Sequence, residues 1–266
     1  MSNVAVRNDL KVRMMPRYDF ASPRLYVDVA VRPGAEIALD RSQRNYLLNV
    51  LRLRAGDTVL LFNGHDGEWR GRLAITGKQA ALVVGERTRR QTVACDLQYL
   101  FAPLKHARLD YIVQKAVEMG VSRLQPIITR HGQVARVNLE RIRANAIEAA
   151  EQCGILTLPE ISPPIALDRA IAAREPQRLW IFCDEDAEVK DPVAALQAAA
   201  SKGGANPPLA VLIGPEGGFA DEERQALLGL PNIVRLALGP RILRADTAAI
   251  AALTLVQGVL GDWRGS

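Results

Sequence analysis

The chain has 266 residues, 48% of them apolar, with a formal net charge of +5 and three cysteines. That length and composition suit one or two packed domains and exclude a globally disordered chain. No run of about 18 apolar residues is present, so no membrane span is expected, and the first residues lack the apolar stretch of a secretory signal.

Residues 1–22 read as a tail. Alternating short segments follow: Arg24-Leu25-Tyr26-Val27 as a strand, a turn at Gly34, then Ile37-Ala38-Leu39. Residues 43–53 form a short helical candidate with Tyr46, Leu47, Val50 and Leu51 on one face. Thr58-Val59-Leu60-Leu61-Phe62 and the strand beginning Glu68-Trp69 flank Asn63-Gly64, a hairpin signal. Ala80-Ala81-Leu82-Val83-Val84 adds another strand, and together these segments suggest a small β-barrel over residues 23–90.

The pattern changes near residue 91. A strand at Leu97-Gln98-Tyr99-Leu100-Phe101 precedes a helix with the apolar stripe Leu109, Ile112, Val113, Ala116 and Val117, closed by Gly120. Strands over 124–128, 179–183, 209–213 and 233–236 alternate with helices over 139–152, from Asp191-Pro192, from about Asp221 and over 247–260. This alternation predicts an α/β domain with a parallel sheet over residues 91–266.

Charge is unevenly spread. Residues 1–90 carry 16 Lys plus Arg against 9 acids, and 14 of the 16 are arginine, whereas residues 91–266 carry 18 against 20. Arginine forks match phosphate geometry and stack on bases, so a polyanion partner is one reading; an ordinary arginine-biased surface is the other. Cys95, Cys153 and Cys183 are widely spaced. They suit a reducing cytoplasm and give neither a disulfide framework nor a zinc pattern. His65, His106 and His131 lack ligand spacing, so no metal is expected.

Two glycine-containing loops carry most information. Leu212-Ile213-Gly214-Pro215-Glu216-Gly217-Gly218-Phe219 ends a continuous apolar strand in a turn with three glycines. Ligands of open α/β sheets sit at the carboxyl ends of strands. The turn lacks the Lys-Ser or Lys-Thr of a P-loop and the Gly-x-Gly-x-x-Gly of a dinucleotide site. The second loop is Leu238-Gly239-Pro240-Arg241-Ile242-Leu243-Arg244-Ala245-Asp246-Thr247-Ala248, with Asp246 or Thr247 as candidate helix caps.

These loops resemble the motifs of the ribosomal RNA small subunit methyltransferase E family, knotted enzymes of the SPOUT superfamily. The resemblance extends to Tyr46-Leu47-Leu48-Asn49-Val50-Leu51-Arg52-Leu53, Phe62-Asn63-Gly64, Lys115-Ala116-Val117-Glu118-Met119-Gly120-Val121 and Glu148-Ala149-Ala150-Glu151-Gln152-Cys153, and covers nearly all of residues 17–260. It implies a PUA-like RNA-binding barrel, a trefoil-knotted methyltransferase domain, and a homodimer. It also implies methyl transfer from S-adenosylmethionine to uridine N3 in 16S ribosomal RNA, free or in the assembled small subunit. A SPOUT enzyme with another RNA target and a non-catalytic assembly factor are the competing readings.

Mapped onto this chain, the cofactor would be held by Leu212, Ile213, Gly214, Pro215, Gly217, Gly218, Leu236, Leu238, Gly239, Ile242 and Leu243, mainly through main-chain groups. Arg241 or Arg244 would favour the anion developing on the uracil while the other holds RNA phosphate. Glu216 is a further catalytic candidate, with anchoring of the turn as its alternative role. RNA contacts would come from Arg17, Arg24, Arg52, Arg54, Arg70, Arg72, Lys115 and Arg130. The chain departs from the family pattern at Ile155, where an arginine is expected, and at Ala220, where a serine cap is replaced and Asp221 could cap one residue later.

Overall fold

The computed structural model describes residues 19, 21–133, 136–187, 191–200 and 207–264. Most of the predicted tail, Arg17 within it, and most of the 201–208 loop lie outside them.

The first sheet contains β1 (Arg24–Tyr26), β2 (Glu36–Ala38), β3 (Thr58–Phe62), β4 (Glu68–Thr76) and β5 (Gln79–Arg89), in the order β1-β3-β4-β5-β2. β1 runs parallel to β3 and the other pairs are antiparallel. The edge strands supply Leu25 and Ile37 to one core with Val59, Leu61, Leu73 and Leu82. Leu47, fully buried in that core, comes from the helical segment. This segment starts two residues earlier than predicted, as α1 (Arg41–Asn45), because Asp40 caps it: Gln43 N–H donates to Asp40 (2.8 Å) and Asp40 N–H donates back to Gln43 (3.1 Å). A π-helical turn (Tyr46–Val50) continues it.

The Asn63-Gly64 signal marks a hairpin, but not a tight one. Phe62 pairs with Glu68, leaving residues 63–67 as the connection. Asn63 is folded inward instead, where its side-chain oxygen accepts from the Asp66 amide (2.8 Å) and its nitrogen donates to Val29 O (3.0 Å). The two-residue turn lies at Gly77-Lys78, between Thr76 and its partner Gln79.

The second sheet is parallel throughout. It comprises β6 (Leu97–Phe101), β7 (Arg123–Ile128), β8 (Glu160–Ile161), β9 (Ile165–Ala166), β10 (Leu179–Cys183), β11 (Leu209–Ile213) and β12 (Ile233–Leu236), ordered β12-β10-β11-β6-β7-β8 with β9 also on β7. Its helices are α2 (His106–Glu118), α3 (Leu139–Cys153), α4 (Leu167–Ala172), α5 (Pro192–Ala200), α6 (Asp221–Leu228) and α7 (Ala245–Val259). All five β11 residues are buried. Leu209, Val211 and Ile213 face the core shared with α2, α3, α5 and α7, while Ala210 and Leu212 face the one shared with α4 and α6. Burial on both faces explains why this strand reads as an unbroken apolar run.

Several contacts join the two sheets. Arg89 donates to Glu68 (2.5 Å) and to Gly154 O at the end of α3 (2.9 Å). Phe62, at the end of β3, packs in the α/β core. Tyr26 N–H donates to the Glu151 carboxylate of α3 (2.8 Å), which borders a cleft of about 970 Å³ between α3 and the first sheet.

Burial pushes the Glu151 carboxyl from its ordinary 4.5 up to about 7; the Tyr26 bond opposes the shift and Glu148 adds to it. The folded chain therefore holds this proton where the unfolded chain has lost it. The corresponding stability is full below about pH 4.5, falls as pH rises to about 7, and is level above. Glu151→Gln keeps an acceptor for Tyr26 and removes the charge. It should abolish that decline and gain on the order of 2 kcal/mol at pH 8, read by denaturant unfolding across pH. Parallel curves for the two proteins would contradict this account.

Candidate active site

The carboxyl ends of β11 and β12 open into two loops, residues 214–220 and 237–244. The first folds on itself through Gly218 N–H donating to Pro215 O (2.9 Å). Gly218 (φ +72°) and Gly239 (φ +100°) occupy the left-handed region that favours glycine, with open space where a Cβ would stand. Gly214 is glycine for a different reason: a Cβ there would lie 2.5 Å from the Phe219 ring. That ring packs edge-on against Phe182 of β10 at 5.3 Å. Among the described residues, no acceptor is in place for the N–H groups of Gly217, Leu238 and Gly239. Open backbone with free amides at the carboxyl edge of a parallel sheet suits a ligand held by main-chain groups.

The predicted cofactor residues divide by position. Leu212, Ile213 and Leu236 are strand residues with side chains in the core, so only their main chain can face a ligand. Gly214, Pro215, Gly217, Gly218, Leu238, Gly239 and Leu243 form the loops themselves. The Ile242 side chain is 89% exposed. Arg241 and Arg244 are also exposed, and among the described residues neither makes an ion pair or a side-chain hydrogen bond.

Glu216 is not free. Its carboxylate pairs with Arg108 of α2, which also donates to Asp246 at 2.9 Å. The bond from Arg108 holds the Asp246 carboxyl below the usual carboxylate range. Asp246 is not the cap residue of α7, although its other oxygen accepts the Thr247 N–H in the first turn (2.9 Å). The helix begins one residue before it, with Arg244 at the cap position and no side chain closing it. Asp221 does not cap α6 either: Ala220 is at the cap, and Glu223 takes both the Ala220 N–H (3.0 Å) and the Arg130 N–H (2.8 Å). This carboxylate joins the loop after β7 to the glycine turn, and His131 Nδ1 lies 3.3 Å from Gly218 O in the same contact.

The candidate RNA residues also separate. Arg24 is withdrawn from the set: it is 7% exposed, donates to Glu68 (3.1 Å) and to Asp19 O (2.6 Å), and braces the first sheet internally. Although burial opposes it, the bonds from Arg89, Thr88 and Arg24 hold the Glu68 carboxyl below its usual range. Arg52 and Arg54 are exposed. Arg70 pairs with Glu86, Arg72 approaches Gly56 O (3.4 Å), Lys115 pairs with Glu118 (2.7 Å) and Arg130 with Glu222 (2.9 Å). Trp69 belongs to the wall of the first sheet, its indole N–H donating to Asp66 O (2.9 Å). Sequence reasoning misses Arg108 altogether. Its partners lie 108 and 138 residues away, and only the strand order brings them together.

A parallel α/β sheet with open glycine loops at its carboxyl edge, preceded by a small mixed sheet, is the build of a two-domain RNA methyltransferase. Residues 91–257 match the RNA methyltransferase domain and residues 39–84 the RNA methyltransferase PUA domain. The chain is 30% identical over 236 residues to the ribosomal RNA small subunit methyltransferase E of Rickettsia conorii, covering 88% of this chain and 94% of that one. The enzyme of that name from Neisseria gonorrhoeae, solved with S-adenosyl methionine, superposes with a TM-score of 0.76 at 27% identity over 89% of this chain and 97% of its own. A Legionella pneumophila methyltransferase solved with the same cofactor gives 0.75 at 28%, with the same coverage. This chain belongs to the ribosomal RNA small subunit methyltransferase E family.

The contact at Gly214 makes a contrast between two glycines of the same loop. Gly214→Ala must displace the Phe219 ring and should cost about 1–3 kcal/mol by denaturant unfolding. Gly217→Ala meets only the His131 Cβ at 3.6 Å, an ordinary contact, and should stay within about 0.5 kcal/mol of wild type. Equal losses at the two positions would show that Phe219 does not set the packing of this turn.

Proposed function

We propose that this chain methylates N3 of a uridine in 16S ribosomal RNA, using S-adenosylmethionine, and acts as a homodimer in the cytoplasm. One observation carries the reading: two open-backbone loops at the carboxyl edge of the sheet, with Arg241 and Arg244 uncommitted in the second. The division of labour follows the sheets, with residues 23–90 engaging RNA and 91–266 carrying the chemistry. The placement of β11 between β6 and β10, with β12 beyond, supports a threaded, trefoil-knotted chain.

When bound, the cofactor supplies a methyl group on a sulfonium centre. The main chain of residues 212–218 and 236–243 would hold it, in keeping with the free amides and the open backbone at Gly218 and Gly239. Uridine N3 must lose its proton to become a strong nucleophile, and the charge then spreads to the ring oxygens. A guanidinium placed beside those oxygens stabilises this charge. Arg241 or Arg244 takes this role and the other holds RNA phosphate. Glu216, already paired with Arg108, acts as the anchor of its turn. Arg52, Arg54 and Arg72 offer the first sheet's charge to RNA, and Arg70, Lys115 and Arg130 exchange surface acids for phosphate. The half-buried Ile250 and Leu255 of α7 and the exposed Ile242 favour a partner copy.

Methyl transfer from labelled S-adenosylmethionine to assembled small subunits and to naked 16S RNA, with the nucleoside identified by mass spectrometry, tests the reading. N3-methyluridine is expected. A different methylated nucleoside overturns the target, and absence of both transfer and cofactor binding overturns the enzyme. Arg244→Ala leaves the α7 cap intact, since only the Arg244 main chain takes part, through its O to Ala248 N–H (2.8 Å). Turnover at saturating RNA should fall roughly 100-fold. Wild-type turnover would remove Arg244 from the chemistry.

A further inference from the structure

Arg108 stands in the first turn of α2, just after β6. Its Nη1 reaches Glu216 in the glycine turn that follows β11. Its Nε donates to Asp246 in the first turn of α7, beyond the loop that follows β12 (2.9 Å). Among the described residues, no hydrogen bond or ion pair joins residues 214–220 directly to residues 237–246. The two loops are therefore connected electrostatically through this one side chain. The remaining nitrogen, Nη2, is buried and has no partner. A buried unpaired donor is costly in a folded protein, and functional sites are where such groups persist.

We propose that Arg108 is the positioning residue of the methyl-donor site: by bridging Glu216 and Asp246 it fixes the spacing of the two loops, and so sets cofactor affinity. This rests on the reading of those loops as the cofactor site. The chemistry of the side chain supports it. A planar guanidinium presents donors on separate edges and bonds two carboxylates at once, whereas a lysine is a compact point charge. The two arms are unequal. Asp246 is 17% exposed at its side chain and Glu216 40%, so the Asp246 arm is the drier and less screened of the two. Its bond is also the first cause of the upward shift of the Arg108 guanidinium, ahead of Glu216. Arg108 lies outside both loops, so its loss would act through their spacing.

Calorimetry of S-adenosylmethionine binding to the full-length wild type, Arg108→Met, Arg108→Lys, Asp246→Asn and the double variant Arg108→Met/Asp246→Asn tests this. The expected result is about a tenfold weaker affinity for Arg108→Met and for Arg108→Lys. The double variant should be no weaker than the worse single one, because both changes remove the same link. Turnover at saturating cofactor should stay within about threefold, the split expected when ground-state and transition-state binding fall together. Wild-type affinity in Arg108→Met overturns the proposal, as does full affinity in Arg108→Lys, which would make the charge sufficient without the fork. Losses that multiply in the double variant also overturn it. Should Arg108→Met not fold, Arg108→Lys and the nearly isosteric Asp246→Asn decide the matter. A wild-type protein that binds no cofactor overturns the reading of the site itself, whereas a wild type that binds beside an unaffected Arg108→Met overturns only the bridge.

Discussion

The position of β11 governs what the rest of the molecule can do. A strand buried on both faces and hydrogen-bonded on both edges has no solvent-facing surface of its own. Its neighbours β6 and β10 run parallel to it, so all three chains leave the sheet at the same edge. There the ladder ends and peptide groups come free together. The turn at residues 214–218, the loop after β12 and the first turn of α2 converge at this edge. A site of main-chain donors follows from the strand order before any side chain is considered.

Side-chain electrostatics then hold that edge in shape. Arg108 braces the two loops, and Glu223 ties the loop after β7 to the start of α6. At the end of β10, the buried Asp184 accepts from Arg224 of α6 (3.0 Å) and Arg235 of β12 (2.9 Å). Each contact crosses between elements far apart in sequence, and each uses a charged group to do so. Asp184 in particular has few alternatives: removing either arginine leaves a buried carboxylate with less compensation.

Much of the architecture was legible because it rests on local pattern. The residue limits of the strands at 97–101, 179–183, 209–213 and 233–236 are those the apolar runs suggest. β8, β9 and α4 were not legible, since strands of two residues and a helix of six give no periodicity to read. The cap at Asp40 obeys a local rule and was within reach of the sequence, as Gln43 stands three residues on. At Asp246 the local reading falls short in a different way: the helix starts one residue before it, so Asp246 meets the Thr247 N–H from inside the first turn, while its other oxygen is taken by Arg108, 138 residues away, a partner no local rule contains. In the same way the glycine loops could be picked out as a site, but not the guanidinium that spans them.

The arginine-rich first third shows how composition and function part company. Net charge counts Arg24 and Arg89 towards a polyanion surface, yet both are turned inward on Glu68. A guanidinium already bonded to a buried carboxylate cannot be offered to phosphate without stranding that carboxylate, which costs more than a surface contact returns. What matters for RNA is the set of arginines with nothing to give up. Of the arginines predicted to serve RNA or catalysis, Arg52, Arg54, Arg241 and Arg244 meet that condition: all are exposed, and among the described residues none commits its guanidinium to a hydrogen bond or an ion pair. Two of the four stand beside the helical segment of the first sheet and two in the loop after β12.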